Sequence, residues 1–131
     1  MAESIRYLDP DTLIALQSRL IDDYGGLHGL RDRGLLESAA ARPVNKGAYG
    51  ADFESQAAAL MFGLAKNHAF LDGNKRIALA ATTMMLLANR YRFTCDPDTI
   101  AAFLENCSDP TWTEDAVEVF VRRHATRLTG A

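Results

Sequence analysis

The sequence predicts an all-α fold, a compact bundle of six helices around a central buried helix. Residue usage favours helices, because 21 alanines and 16 leucines stand against five isoleucines and four valines. Ala and Leu form helices well, whereas β-branched residues prefer strands. Apolar residues recur at helical spacing through most of the chain, and only four prolines interrupt it.

Length and composition indicate an ordinary globular chain. Its 131 residues fit one domain, residues 1–131. A net charge of −3 gives no reason to expect direct nucleic-acid binding or an anionic membrane as partner. The longest apolar run, residues 77–88, is too short to span a bilayer. Cys95 and Cys107 indicate buried thiols, and no signal peptide is visible, so we expect a cytoplasmic protein.

The first two predicted helices are bounded by capping residues, glycine and proline. Asp9, followed by a proline, begins the first helix, and the glycines at 25–26 end it. Asp32 caps the second helix. We expect Pro43 to end this second helix, so that residues 44–50 form a loop.

The middle of the chain contains two predicted helices separated by a polar turn. Asp52 caps the third helix, and residues 68–76 form the turn. The fourth helix, at about residues 74–90, is apolar almost all round, which is typical of a central, buried helix. An extended link follows at residues 91–95.

Two further helices complete the predicted bundle. Asp96, again followed by a proline, begins the fifth. The sixth begins at Asp109 or Thr113 and keeps apolar residues in register as far as Leu128. His124 lies on this apolar stripe, where we expect a hydrogen-bonded, partly buried histidine.

The turn at residues 68–76 contains groups suited to binding phosphate. The first amides of a helix have no internal partners and carry partial positive charge. Gly73 lets the backbone come close to a ligand. Lys75 and Arg76 add cations where the helix dipole disfavours them, which indicates a bound anion, most naturally phosphate.

Three other residues of the turn suggest a reaction at that phosphate. Asp72 is suited to Mg²⁺, which takes one or two carboxylates together with substrate phosphates. A histidine such as His68 can take a proton from a hydroxyl nucleophile, and Phe70 can anchor the turn in the core. This set predicts phosphoryl or nucleotidyl transfer. The same residues are compatible with a solvated turn that binds nothing.

The turn resembles the signature of the Fic/Doc family. Residues 68–76 read His-Ala-Phe-Leu-Asp-Gly-Asn-Lys-Arg, which is similar to the pattern H-x-F-x-(D/E)-(G/A)-N-(G/K)-R of that family. Lysine at the eighth position is the mark of the death-on-curing (Doc) branch. Residues 25–43 also resemble Doc-type chains, and the likeness spans about residues 5–125.

The resemblance implies an all-helical toxin of a toxin–antitoxin module. The Doc branch is associated with phosphorylation of elongation factor Tu, with ATP as the phosphate donor. By position, His68 is the general base, Asp72 the Mg²⁺ ligand and Phe70 the loop anchor. The implied phosphate ligands are Lys66, Gly73, Asn74, Lys75 and Arg76. A cognate antitoxin with a segment that folds on binding is the implied partner.

Two departures from the wider family bear on the reaction. AMP-transferring members carry a second arginine where this chain has Leu79, which favours the Doc branch. The chain also lacks the Ser/Thr-x-x-x-Glu-Gly/Asn motif of an inhibitory helix, so restraint by a separate antitoxin is expected. AMP transfer on the same fold and a non-catalytic, nucleotide-binding helical module are the alternatives.

Overall fold

Six helices follow one another along residues 4–129, the part of the chain that this computed structural model describes. Residues 1–3 and 130–131 of the predicted domain lie outside the described residues. The helices are α1 (Pro10–Tyr24), α2 (Arg33–Ala48), α3 (Phe53–Asn67), α4 (Asn74–Ala88), α5 (Pro97–Glu105) and α6 (Glu114–His124). Two short strands are β1 (Tyr91–Phe93) and β2 (Ala125–Arg127), and a 3-10 turn at Asn106–Ser108 follows α5. The predicted mainly helical fold is confirmed.

Side-chain caps begin five of these six helices. Each capping oxygen accepts a hydrogen bond from the backbone amide three residues later, and the caps are Asp9, Asp32, Asp52, Asp96 and Thr113. Such a bond satisfies an amide that the helix itself leaves without a partner. The predicted caps are confirmed, with Thr113 rather than Asp109 before α6.

The predicted end of the second helix at Pro43 is wrong. Helix α2 runs through Pro43 to Ala48, so most of the expected loop at residues 44–50 is helical. Pro43 is buried in the interior of the molecule. On either side of it, Arg42 and Lys46 form ion pairs with Glu114 at the start of α6. These tertiary contacts outweigh the preference of proline for a helix end.

The central helix is α3. Ten of its fifteen residues are buried, and it packs against α2, α4 and α6. Small side chains permit this close approach: a Cβ at Gly63 would lie 2.7 Å from Cδ of Arg42 and 3.3 Å from Ala39. Helix α4, which hydropathy placed at the centre, instead exposes Met84 and Leu87. A central buried helix is therefore confirmed, but it is the third.

The two strands form a small antiparallel sheet that the all-helical prediction did not include. Tyr91 pairs with Arg127 and Phe93 with Ala125. The sixth helix consequently ends at His124, and its predicted continuation to Leu128 is wrong. His124 is half-buried, with Nδ1 2.9 Å from the carbonyl oxygen of Phe120, as expected.

Both ends of the described chain are held at the C-terminal end of α4. The Asn89 side chain binds the backbone of Arg6, accepting from its amide at 2.8 Å and donating to its carbonyl at 2.9 Å. The amide of Leu128 donates to the carbonyl of Arg90 at 2.8 Å. Among residues 4–129, no helix is both long and apolar enough to cross a membrane.

Candidate active site

His68 lies where α3 ends and the turn to α4 begins. It is the C-terminal cap of α3 and adopts the left-handed conformation, with φ 50° and ψ 49°. Few residues other than glycine adopt a positive φ. The residue is exposed, so its imidazole is accessible from the solvent.

The turn before α4 is hydrogen-bonded to the segment that joins α1 and α2. Leu30 and Phe70 form an antiparallel bridge, and the amide of Leu71 donates to the carbonyl of Gly29 at 3.0 Å. The carbonyl of Ala69 accepts from the amide of Arg31 at 2.7 Å. Two chain segments that are distant in sequence therefore determine the shape of the turn together.

The buried ring of Phe70 and the hydrogen bonds of the Asn74 side chain stabilise the turn. The Phe70 ring is 2% exposed and belongs to the hydrophobic core. The Asn74 side chain accepts from the amide of Phe70 at 3.1 Å and donates to its carbonyl at 3.0 Å. The Asn74 side chain is thus committed to the backbone of the turn, which leaves its own backbone amide as the group suited to phosphate.

Asp72 is fixed between the turn and the end of α1. Its Oδ1 accepts from the amide of Gly73 at 2.8 Å, and its Oδ2 accepts from the amide of Leu27 at 3.1 Å. The buried side chain of Gln17 donates to the Asp72 carbonyl at 3.2 Å. Glycine is required at position 26, because a Cβ there would lie 2.7 Å from Oδ2.

The carboxylate of Asp72 fits a magnesium ion that is shared with a nucleotide. Each of its oxygens accepts one amide, which leaves further acceptor capacity on both. Within residues 4–129 no group of three or more His, Cys, Asp or Glu residues could hold a metal. A single carboxylate is nevertheless sufficient for Mg²⁺, because the ion keeps several waters and takes substrate phosphates as ligands.

The N-terminus of α4 differs from that of the other five helices because no side chain caps it. Gly73 precedes it with φ 73°, and Lys75 and Arg76 lie in its first turn. Nζ of Lys75 is 3.7 Å from Oε1 of Glu105 on α5, and both side chains are largely exposed. The Arg76 guanidinium lies 4.8 Å from the ring centroid of Tyr24. An N-terminus without a side-chain cap and two nearby cations are together suited to binding an anion.

Lys66 makes different contacts from the other predicted phosphate ligands. It lies in the last turn of α3, and its Nζ is 5.6 Å from the Trp112 ring and 5.9 Å from the Phe62 ring. These are distances typical of a cation–π contact. The remaining predicted ligands are brought together on the turn and on the first turn of α4.

Comparison with known proteins gives the family. A model of the Fic/DOC family matches residues 7–86. The chain belongs to the Fic/DOC family. A Fic/DOC relative from Mycolicibacterium smegmatis, named Toxin Doc, is 41% identical over 96 residues, which are 70% of this chain and 71% of the relative. Another, Protein kinase doc of Escherichia phage P1, is 33% identical over 96 residues, 72% of this chain and 76% of that protein.

Sequence reasoning missed two residues that support this Fic/DOC turn. The sequence could have indicated a buried contact for Gln17, because it is a polar residue on the apolar face of α1, between Leu13 and Ile21. Such a residue normally has a buried hydrogen-bond partner. Arg31 lies in the segment that resembles Doc-type chains, but its role was missed, because its guanidinium donates to residues 67–68, which only the folded chain brings near it.

Proposed function

We propose that this Fic/DOC chain is an ATP-dependent phosphotransferase that acts as the toxin of a toxin–antitoxin module. The observation that carries the proposal is the uncapped N-terminus of α4, with Lys75 and Arg76 in its first turn, directly after His68 and Asp72. The names of the two relatives, a Doc toxin and a protein kinase, support the same activity.

In the proposed reaction His68 acts as the general base. A ring nitrogen of His68 takes the proton of the acceptor hydroxyl as the oxygen bonds to the γ-phosphorus of ATP. The bond from that phosphorus to the bridging oxygen breaks, and ADP leaves. The first amides of α4, with Lys75 and Arg76, bind the phosphates and stabilise the charge on the transferring group. Asp72 would hold Mg²⁺, which neutralises phosphate charge when bound.

The proposed acceptor is a hydroxyl group of elongation factor Tu, and the proposed restraint is an antitoxin segment that folds on binding. The first rests on the resemblance to the Doc branch that Lys75 carries, and the second on that resemblance together with the missing inhibitory motif. Titration calorimetry with the antitoxin segment should give a large negative heat-capacity change, because ordering on binding buries apolar surface. A small change would contradict this mode of restraint.

The phosphotransfer proposal is tested with purified elongation factor Tu, Mg²⁺ and ATP labelled separately at the α- and γ-phosphates. We expect label from the γ-phosphate only and a mass gain of one phosphate. His68→Ala should lower the rate by a factor of about 100 or more, with an almost unchanged melting temperature. The matched control is His28→Ala, because His28 is exposed and binds Asp22 and Ser18 rather than the turn.

Other results of this experiment would replace the proposal. Transfer of the α-label would make the protein an AMP transferase. Retention of all label on free nucleotide would contradict phosphorylation of elongation factor Tu and favour the non-catalytic alternative. Full activity of His68→Ala would exclude His68 as the base.

A further inference from the structure

We propose that Arg31 is a positioning residue for His68, an inference that rests on the proposed role of His68 as general base. Nε of Arg31 donates to the carbonyl of His68 at 2.7 Å, and its Nη2 donates to the carbonyl of Asn67 at 3.2 Å. One guanidinium therefore binds the last residue of α3 and the residue that follows it.

The carbonyls at the C-terminal end of α3 are strong acceptors for a hydrogen bond from an arginine. The last carbonyls of a helix have no donors within the helix, and they carry the negative end of its dipole. A guanidinium supplies several donors in a rigid plane together with a positive charge. Hydrogen bonds from a charged donor are stronger than those from a neutral one.

The backbone of His68 needs an external constraint of this kind. Its φ of 50° lies in the left-handed region, where a residue with a side chain remains only when its surroundings hold it. The φ and ψ of a residue set the direction of its Cα–Cβ bond and decide which rotamers its side chain can adopt. A guanidinium that binds the carbonyls of both Asn67 and His68 therefore holds the His68 backbone and restricts the directions open to its imidazole.

The side chain of Arg31 can be removed without removing the rest of this connection. The carbonyl of Ala69 accepts from the backbone amides of Arg31 and Asp32, at 2.7 and 3.0 Å. The Asn67 side chain donates to the carbonyl of Leu35 at 2.9 Å. These bonds do not use the guanidinium, so a substitution at Arg31 isolates its hold on His68.

The test compares Arg31→Ala and Arg31→Lys with Arg33→Ala. Arg33 is a matched control, because it is an exposed arginine two residues away that pairs with Asp11 and Glu37 instead of the turn. The rate of phosphotransfer to elongation factor Tu is measured well below each melting temperature. The φ of His68 is followed by the NMR coupling between its amide and Hα protons.

Arg31→Ala should lower kcat by a factor of about 10 to 100, the range expected for a misplaced reacting group. The KM for ATP should change by less than about twofold, because Lys75 pairs with Glu105 and Arg76 lies over the Tyr24 ring, contacts that the substitution leaves in place. The His68 coupling should show that φ leaves the left-handed region in part of the molecules. Arg31→Lys keeps the positive charge but has one donor nitrogen instead of a planar fork, so its kcat should lie between those of the wild type and Arg31→Ala. If Arg31→Ala does not fold, the kcat of Arg31→Lys is the one compared with the control.

Three results would overturn the inference. The first is a kcat of Arg31→Ala, or of Arg31→Lys if only that variant folds, equal to that of Arg33→Ala. The second is a lower kcat with an unchanged His68 coupling, and the third is a loss expressed in the KM for ATP alone. If the wild type does not phosphorylate elongation factor Tu, the proposed function fails, and the His68 coupling alone decides whether Arg31 holds this backbone.

Discussion

The N-terminus of α3 and the N-terminus of α4 differ in the charge that surrounds them. At α3, Asp52 caps the helix, and its two oxygens also accept from Nη2 of Arg122, at 2.7 and 2.9 Å. At α4 no side chain caps the helix, and Lys75 and Arg76 add positive charge. The charges at the α3 end are paired within the chain, whereas the α4 end has no capping side chain and is the end that we propose binds the phosphates of ATP.

If the proposed function is right, the α3 end contributes to stability and the α4 end to the reaction. Substitutions at the α3 end should lower the free energy of unfolding and leave phosphotransfer intact. Substitutions of the α4 cations should do the reverse, because removing a cation from an uncapped N-terminus does not destabilise the helix. The turn before α4 is the exception, since its shape depends on a buried ring.

Phe70→Ala should have the largest effect, because it removes the ring that anchors this turn. We expect a loss of about 3 kcal/mol or more in the free energy of unfolding, measured by urea denaturation. Leu71→Ala is the control, because its side chain is 54% exposed, and it should change stability by less than about 0.5 kcal/mol. Equal midpoints for the two variants would contradict an anchoring role for the ring.

Arg76→Ala should lower phosphotransfer by a factor of about 100, because it removes a cation from the transferring phosphates. Its melting temperature should be no lower than that of the wild type. Arg19→Ala controls for the loss of an exposed arginine, since Arg19 is paired with Asp23 on α1. If both variants kept the wild-type rate, the α4 end would not be the phosphate site.

Lys75→Gly should change which phosphate of ATP is transferred. The family resemblance associates lysine at this position with the Doc branch and glycine with AMP-transferring members, and glycine also removes one charge beside the proposed phosphates. We expect loss of γ-label transfer and a weak gain of α-label transfer, which Leu79→Arg should increase. Glu105→Gln removes only the ion-pair partner of Lys75 and should change neither. Unchanged γ-transfer by Lys75→Gly would show that Lys75 does not set the orientation of ATP.

Asp52→Asn should have the smallest effect, below about 1 kcal/mol at neutral pH, because the ion pair with Arg122 is largely exposed. The hydrogen bond from Arg122 holds the pKa of Asp52 below its usual value. The stabilisation is thus fully present above the unfolded pKa of about 3.9 and is lost as the pH falls through the lower folded pKa. The urea denaturation midpoints of the wild type and Asp52→Asn should converge as the pH is lowered. A difference between the two midpoints that stays constant with pH would contradict this linkage.

Local features of the fold were predictable from the sequence, and features that depend on packing were not. Asp52 and Thr113 cap helices through hydrogen bonds that span three residues, so the local pattern suffices. Pro43 was misleading, because ion pairs from α6 and burial keep α2 helical past it. The central position of α3 depends on small residues such as Gly63, which hydropathy undervalues.

The residues of the candidate site also divide into those that a local sequence pattern identifies and those whose role depends on packing. His68, Asp72 and Arg76 stand within nine residues, so a signature could identify them together. Their supports come from elsewhere in the chain: Gln17 from α1 and Arg31 from the segment before α2. The packing of α1 and α2 brings these segments to the turn. The local sequence around the turn therefore does not predict the contact.

The way residues 6 and 128 meet at the end of α4 has a practical consequence for engineering. Arg6 binds Asn89, and Leu128 binds Arg90, whereas the candidate site lies at the other end of the same helix. A helix of 15 residues is about 20 Å long. A fluorescent protein or surface tether attached beyond either residue would therefore leave the site open. A short linker between the two would also allow circular permutation, with new ends at Gly50 between α2 and α3.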